Sequence, residues 1–429
     1  MQFKSIAFAA AVLCAASAAS AATVTVNAAG ASATRATLTN VIVESVCGAA
    51  ASTTVYHNGS NVTRITCPTT VFGGSDTLDF SYDNTSGSYL GVGPVSGNGQ
   101  LSARINTTSC TGTTTETIAG KTVASRTGCT NEATLVRPGI GNIDVEVEMF
   151  AGANIGALPA VVPSGIDQAN SQFGIIYGVV VSEALYKALQ ADQGLTVGSL
   201  TDAATAPSLS RAQIASLATA NGGPLNNDWT SLFTTTTPAA ATSAVTFVRR
   251  VAGSGTQTSF NANFLGYLCS ARGSLPATAA DSSATYIVNE QGSTGNLLAA
   301  VSSTTAFRIG IASRENNQTA STPATPNWGF VKIDGVYPSK ANVQNGRYNW
   351  VAEQVLTLRS GFSAVEKTLY DRLVVLTASP TTINGFSAAA KDGTVALPFV
   401  ADAGDPNYLT HRTRFRTFGN SCVVPIAAE

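Results

Sequence analysis

The residues best suited to chemistry lie in one short segment, Arg250-Val251-Ala252-Gly253-Ser254-Gly255-Thr256. A strand-like run precedes this segment and a helix-like run follows it. Gly253 and Gly255 let the backbone approach a ligand closely, the two hydroxyls are donors, and Arg250 can form a bidentate contact with an oxyanion. Free N–H groups at the helix start add partial positive charge. The segment therefore predicts an anion-binding loop; a plain glycine turn beside a solvated arginine is the alternative.

Two further loops have the same character. The segment Gly30–Arg35, G-A-S-A-T-R, also follows a strand and opens a helix, and Gly87-Ser88 forms a third small-residue turn at a strand end. Ligands of open α/β sheets bind in the crevice outside the carboxyl ends of the strands. We therefore expect the three loops to meet in one cleft.

The elements that position these loops are visible as hydrophobic patterns. A buried strand is expected from Gly174, running into a helix with Leu185 and Leu189 one turn apart. Ser210 has the features of a helix N-cap, with Gly222-Gly223 as the stop. Phe260 and Phe264 should share one helix face.

Two more segments complete the pattern. The alternation in residues 142–150, N-I-D-V-E-V-E-M-F, indicates a strand, and residues 348–375 are rich in helix signals. Strands that alternate with helices predict an α/β fold with largely parallel sheets.

Charge and composition exclude several classes of protein. The 429 residues include 24 Lys+Arg and 25 Asp+Glu, a formal net charge of -1, and only 11% are charged while 44% are hydrophobic. A nucleic-acid binder that works by counterion release needs a basic surface, which this chain lacks. Low charge with this apolar content also disfavours disorder.

The first 21 residues have the features of a bacterial-type secretory signal peptide. Lys4 supplies the positive charge, Ile6–Leu13 the apolar core and Ala19-Ser20-Ala21 the small-residue cleavage site. The apolar run is shorter than the roughly 20 residues of a membrane span, which disfavours the alternative of a short anchor. We expect the mature chain in the periplasm, secreted or at the cell surface, with no membrane span.

Six cysteines remain after this segment is removed, and an even number in an exported chain predicts three disulfides. The candidates are Cys47, Cys67, Cys110, Cys129, Cys269 and Cys422. Sequence alone permits 15 pairings, of which the sequential one, first with second and so on, is the simplest. Metal ligation is the weaker alternative, because there is no C-x-x-C and only two histidines occur. We therefore expect no metal and no cofactor.

The loops resemble those of the phosphate-binding protein family of periplasmic ABC transporters, which are type II two-lobed binding proteins. The family's first loop, G-A-G-A-T-F, is similar to Gly30–Arg35, with Arg35 in place of the aromatic residue. Its third loop, R-x-D-G-S-G-T, is similar to Arg250–Thr256, with Ala252 in place of the aspartate. A Gly-Ser pair matches Gly87-Ser88, and the similarity extends from Val24 to about Tyr348.

The resemblance implies a phosphate site with one anion-facing aspartate, whose best counterpart is Asp144. Its carboxylate would accept the proton of hydrogen phosphate and disfavour sulfate, which has none; an aspartate that only caps a turn is the alternative. The implied ligand-binding residues are Ser32, Thr34, Ser88, Asp144, Arg250, Ser254, Gly255 and Thr256.

The resemblance also implies two lobes of mixed or parallel sheets with flanking helices, joined by two crossovers of the chain. Residues 22–164 and 341–429 would form the first lobe and residues 165–340 the second. Residues 96–138, rich in Thr, Ser, Gly and Asn, are expected to form a surface insertion in the first lobe.

Three functions follow as hypotheses. The first is a non-catalytic solute-binding protein that carries phosphate or a similar oxyanion to an ABC-transporter permease. The second is an extracellular structural protein that retains the fold with a degenerate site. The third, a phosphatase-like hydrolase, is disfavoured because G-x-S-x-G and H-E-x-x-H are both missing from the sequence.

Overall fold

The computed structural model describes residues 22–220, 227–269, 273–316, 327–385, 393–396, 415–416 and 426–427. The expected signal peptide, residues 1–21, lies outside these ranges. So do Cys422 and the Gly222-Gly223 helix stop.

Most strands of the described chain belong to one mixed sheet. Its members are β1 (Thr23–Gly30), β2 (Thr54–Asn58), β3 (Val62–Thr69), β4 (Asp76–Asp83), β5 (Gly112–Ile118), β6 (Lys121–Thr127), β7 (Ile140–Ile143), β8 (Ile166–Ser182), β10 (Val245–Arg250), β11 (Tyr286–Gln291), β12 (Ile309–Ser313), β13 (Trp328–Phe330), β15 (Val351–Arg359) and β16 (Thr394–Ala396). Two small pairs stand apart, β9 (Ser208–Leu209) with β14 (Lys332–Ile333) and β17 (Phe415–Arg416) with β18 (Ile426–Ala427).

Helices flank this sheet. They are α1 (Arg35–Val41), which continues as a π-helical turn (Ile42–Val46), α2 (Gly93–Ser96), α3 (Glu183–Asp192), α4 (Arg211–Ala218), α5 (Gly255–Leu265), α6 (Thr294–Val301), α7 (Lys340–Gln344), α8 (Ala364–Ala378) and α9 (Pro380–Gly385). Ser210 is the N-cap of α4, and its hydroxyl and the Gln213 side chain form a reciprocal capping box.

The long strand β8 joins two groups of strands. Its first part, Ile166–Ile176, pairs antiparallel with β15, beside the parallel strands β7, β1 and β4. Its last part, Tyr177–Val181, pairs antiparallel with β12, beside the parallel strands β10 and β11. Every residue from Phe173 to Ser182 is buried, as expected of a strand covered on both faces.

The α/β fold with mixed sheets and flanking helices is confirmed, and two element predictions are wrong. Strand β7 ends at Ile143, and the chain then turns through a 3₁₀ segment (Val147–Met149) instead of continuing as a strand to Phe150. The parallel ladder between β1 and β7 stops at Gly30 opposite Asn142, where β1 itself ends. Beyond this point β7 has no parallel partner, and the alternation of residues 142–150 does not show where a partner strand ends.

The second wrong prediction concerns the helix expected from Tyr348. Residues Val351–Leu358 form the buried part of β15, between β7 and β8, and a helix starts only at Ala364. A central strand needs an almost continuous apolar run. Such a run also satisfies helical spacing, so the sequence pattern was ambiguous here.

Aromatic side chains pack where β8, β15 and α5 meet. The Phe260 and Phe264 rings are stacked 4.8 Å apart, which confirms their predicted shared face. Trp350, just before β15, lies 5.6 Å from Tyr177 and 4.9 Å from Phe264 between ring centroids, and its indole N–H donates to the Ser259 hydroxyl at 3.0 Å. This cluster fixes the start of β15 against α5.

Two of the expected disulfides are present. Cys47–Cys67 and Cys110–Cys129 are bonded in the sequential order, and the second closes the β5–β6 hairpin of the expected insertion. Cys269 is disulfide-bonded as well, while its expected partner Cys422 is outside the described residues. Among the helices described, none is both long and apolar enough to span a bilayer.

The two described disulfides should stabilise the fold by similar amounts. They close loops of 20 and 19 residues in sequence, and loop-closure entropy in the unfolded chain predicts about 3 kcal/mol for each. We expect Cys47→Ala/Cys67→Ala and Cys110→Ala/Cys129→Ala to lose comparable unfolding free energy in urea titrations followed by circular dichroism. A loss confined to one pair would contradict the loop-entropy explanation.

Candidate functional site

The loop between β10 and α5 has the predicted local structure. Gly253 has a φ of +86°, a conformation that favours glycine. The Ser254 hydroxyl is the N-cap of α5 and accepts the Gln257 N–H at 3.4 Å. The N–H groups of Gly255 and Thr256 belong to the first helical turn, which supplies no acceptor within the helix.

The Gly87-Ser88 turn contacts this loop directly. The Tyr89 N–H donates to the Gly253 carbonyl at 2.9 Å. Gly87 has a φ of +68°, and a Cβ at that position would lie 3.5 Å from the Ser254 Cα and 3.6 Å from Nη2 of Arg250. The second and third predicted loops therefore meet, one from each group of strands.

Asp144 lies in the centre of this junction. It is 2% exposed and accepts hydrogen bonds from the hydroxyls of Ser88 and Tyr177, with Thr256 Oγ1 at 3.5 Å. Gly255 packs directly on this carboxylate, and a Cβ there would overlap Asp144 Oδ1. Burial raises the pKa of Asp144, while the hydrogen bonds from Ser88 and Tyr177 and the charge of Arg250 oppose this rise.

Arg250 is 1% exposed, and its hydrogen bonds go to neutral groups. Nη1 donates to Thr294 Oγ1 at 2.8 Å, Nη2 to the Gly292 carbonyl at 2.8 Å and Nε to the Gln291 carbonyl at 3.2 Å. Within the described ranges, no carboxylate oxygen lies within 4.0 Å of this guanidinium. Burial lowers the pKa of Arg250 to about 10, while the negative charge of Asp144 opposes this decrease.

The first predicted loop lies beside the junction without contacting the Asp144 carboxylate. The Ala31 N–H donates to the Asn142 carbonyl at 2.6 Å, which holds the loop against the end of β7. The Thr34 hydroxyl is buried and donates to the Ala31 carbonyl at 3.2 Å, with the Tyr82 hydroxyl 3.4 Å away. The structure thus brings together Ser88, Asp144, Arg250, Ser254, Gly255 and Thr256, and leaves Thr34 and Ser32 outside this cluster.

A cavity of about 260 Å³ lies next to Thr294. Ser32 and Arg35 line it from the first loop, Thr294 from the start of α6 and Glu315 from the end of β12. Thr294 Oγ1 accepts from Arg250, so this residue connects the cavity with the Asp144 junction. Burial and the charge of Asp144 raise the pKa of Glu315 to about 8, and the charge of Arg35 opposes the rise.

Three residues of this region were not predicted from the sequence. Thr294 lies in Gly292-Ser293-Thr294-Gly295, another glycine- and hydroxyl-containing turn between a strand and a helix, and the pattern used for the other loops also describes it. Tyr177 lies inside a buried apolar strand, and Glu315 follows another. Neither position carries a local sequence signal.

No protein-family model matches the chain, and no curated protein does so either. Solved structures give matches at low identity. The chain is similar to a protein from Clostridium perfringens described as a phosphate ABC transporter substrate-binding protein with bound phosphate, at 11% identity and a TM-score of 0.45, covering 87% of this chain and 100% of the other.

Two further matches have lower scores. PstS from Borrelia burgdorferi matches at 10% identity and a TM-score of 0.36, covering 84% of this chain and 95% of the other. A full-length OxyR variant from Pseudomonas aeruginosa matches at 8% identity and a TM-score of 0.32, covering 83% and 67% respectively.

The packing of Gly255 on Asp144 can be tested with matched glycines. Gly255→Ala places a methyl group against the buried carboxylate, and overpacking of this kind costs about 1–3 kcal/mol. Gly295, also in the first turn of a helix, has open space around its Cβ position, so Gly295→Ala supplies the control. Urea titrations should show the loss only for Gly255→Ala; equal stabilities would contradict the close packing.

The pKa of Glu315 predicts a pH-dependent stability. Because this carboxyl binds its proton more tightly in the folded chain, the unfolding free energy should fall as pH rises from 4.5 to about 8. Glu315→Gln removes this loss because the amide does not titrate. The variant should therefore have a higher unfolding free energy than the parent protein above pH 8, and no such advantage at pH 4.5. Urea titrations across this range test the prediction, with the exposed Glu44→Gln as control; a difference independent of pH would contradict it.

Proposed function

We propose that the chain is an exported, non-catalytic solute-binding protein that binds phosphate or a similar oxyanion between two lobes, residues 22–164 with 341–429 and residues 165–340. The observation that carries this proposal is the buried guanidinium of Arg250, which has neutral hydrogen-bond partners and lies beside the Gly87 turn, where that turn packs on the start of α5. Burying a cation is costly. The carbonyls and the Thr294 hydroxyl stabilise this charge only as dipoles, and an oxyanion nearby would compensate it directly.

Asp144 gives the proposed site its preference among oxyanions. A carboxylate beside the anion accepts a hydrogen bond from hydrogen phosphate or hydrogen arsenate, both of which carry a proton at neutral pH. Sulfate has no proton to donate, and its oxygens would face the Asp144 oxygens unpaired. In this proposal Ser88 and Thr256 donate to the anion and Gly255 allows its approach to the start of α5.

The sequence motifs also favour delivery of the solute to an ABC-transporter permease. The resemblance of Gly30–Arg35 and Arg250–Thr256 to the loops of phosphate-binding proteins supports this partner. The expected signal peptide and the disulfides suit an oxidising compartment outside the cytoplasm.

A second candidate is an extracellular structural protein with a degenerate site. One observation favours it: the Ser88 and Tyr177 hydroxyls already donate to Asp144, with Thr256 Oγ1 close by, so an internal carboxylate occupies these donors. An anion must displace some of these hydrogen bonds in order to bind. Calorimetry with phosphate that shows no heat, together with X-ray scattering that shows no compaction, would favour this candidate.

The role of Arg250 is tested by Arg250→Ala. Hydrogen bonds to charged groups contribute about 1.5–3 kcal/mol, so we expect phosphate affinity to fall by more than about tenfold. Isothermal titration of the mature protein with phosphate, arsenate and sulfate should show binding of the first two and weak or no binding of sulfate. The exposed Arg372→Ala, on α8, is the control for loss of an arginine. Unchanged phosphate affinity in Arg250→Ala would contradict the site.

A further inference from the structure

The cavity next to Thr294 is larger than a bare oxyanion requires. Its volume of about 260 Å³ is several times the roughly 30 Å³ that one water molecule occupies in the liquid. It lies between Arg35 of the first loop, the start of α6 and Glu315, so both groups of strands contribute to its wall. The space therefore has room for a small organic group next to the proposed anion site.

The described residues that line this cavity are polar or small, and none of them has an aromatic or large aliphatic side chain. Binding of a nucleobase or another flat ring uses aromatic stacking surfaces, and an alkyl chain needs apolar walls. Neither kind of surface is offered here. The chemistry of the wall instead suits a compact group rich in hydroxyls.

Both hydrogen-bond donors and acceptors line the cavity. Arg35 makes one side-chain hydrogen bond within the described chain, from Nη1 to Thr63 Oγ1 at 3.4 Å, and its other N–H groups are available as donors. Glu315 supplies carboxyl oxygens from the opposite part of the wall. A polyol, in which each hydroxyl both donates and accepts, can pair with both groups.

We propose that the solute is a phosphate ester of a small polyol, with its hydroxyl-bearing part in this cavity between Arg35 and Glu315; this inference rests on the proposed anion site at Arg250. Thr294 is the point of contact between the two halves of the site, since it lines the cavity and accepts from Arg250 at 2.8 Å. The ester oxygen of the solute lies near this threonine. Binding involves no covalent change.

The probe for this proposal is sn-glycerol 3-phosphate, compared with inorganic phosphate by isothermal titration of the mature protein. The ester carries two free hydroxyls and is small enough for the cavity. We expect it to bind at least tenfold more tightly than inorganic phosphate, because the hydroxyls add hydrogen bonds that the ion alone cannot make.

A variant that fills the cavity tests whether the tighter binding of the ester depends on this space. Ala36 lines the cavity and is exposed, so Ala36→Phe should fill the space without removing a charge or a core contact. It should abolish the preference for the ester and leave inorganic phosphate affinity within about twofold. Ala364→Phe, at an exposed position in the first turn of α8 and away from the cavity lining, is the matched control and should retain the preference.

The outcomes separate this inference from the function on which it rests. If neither ligand binds, the proposed oxyanion site is wrong, and the inference falls with it. If inorganic phosphate binds as tightly as the ester, or more tightly, the anion site stands and the polyol subsite is overturned. An ester preference that persists in Ala36→Phe overturns the assignment to this cavity.

Discussion

Burial of the Arg250 guanidinium beside the Asp144 carboxyl is the constraint on which the site depends. Each group is nearly inaccessible to water, and an ion in a protein interior is stable only when dipoles or counter-charges replace its hydration. Carbonyls and Thr294 do this for Arg250, and hydroxyls do it for Asp144. The two groups come from β10 and from the end of β7, so the same polar cluster docks the two sets of strands together.

In the proposed site, local dipoles and one guanidinium would hold the anion, so a high net positive charge is not needed. The chain is almost neutral overall, and an anion would meet peptide N–H groups, hydroxyls and a single guanidinium, with no broad basic field. Donors of this kind must be placed accurately, because each contributes only at short range. The glycines at positions 87 and 255 allow this placement, one through its positive φ and the other by leaving room for the Asp144 carboxylate.

The parts of the site that could be predicted from the sequence are those formed by residues close together in the chain. The turn at Gly253 and the hydroxyl cap at Ser254 are encoded within a few residues, and both have the expected form. Residues 144–150 and 351–359 were misassigned, because whether an apolar or alternating run becomes a strand depends on the neighbouring strands that pair with it. Tyr177 reaches Asp144 only through the pairing of distant strands, which no single segment encodes.

The position of Tyr177 links the fold to the proposed ligand site. It is the residue at which β8 changes partner, from β15 up to Ile176 to β12 from Tyr177 onward. Its N–H donates to the Trp350 carbonyl at 3.2 Å, and its carbonyl accepts the Tyr348 hydroxyl at 2.7 Å, so its backbone is held where the two sets of strands join. Its side-chain hydroxyl donates a hydrogen bond to the Asp144 carboxylate. Any relative motion of the two sets of strands would therefore involve residues that also hold the Asp144 carboxyl, and an anion at the proposed site would compete for the same donors.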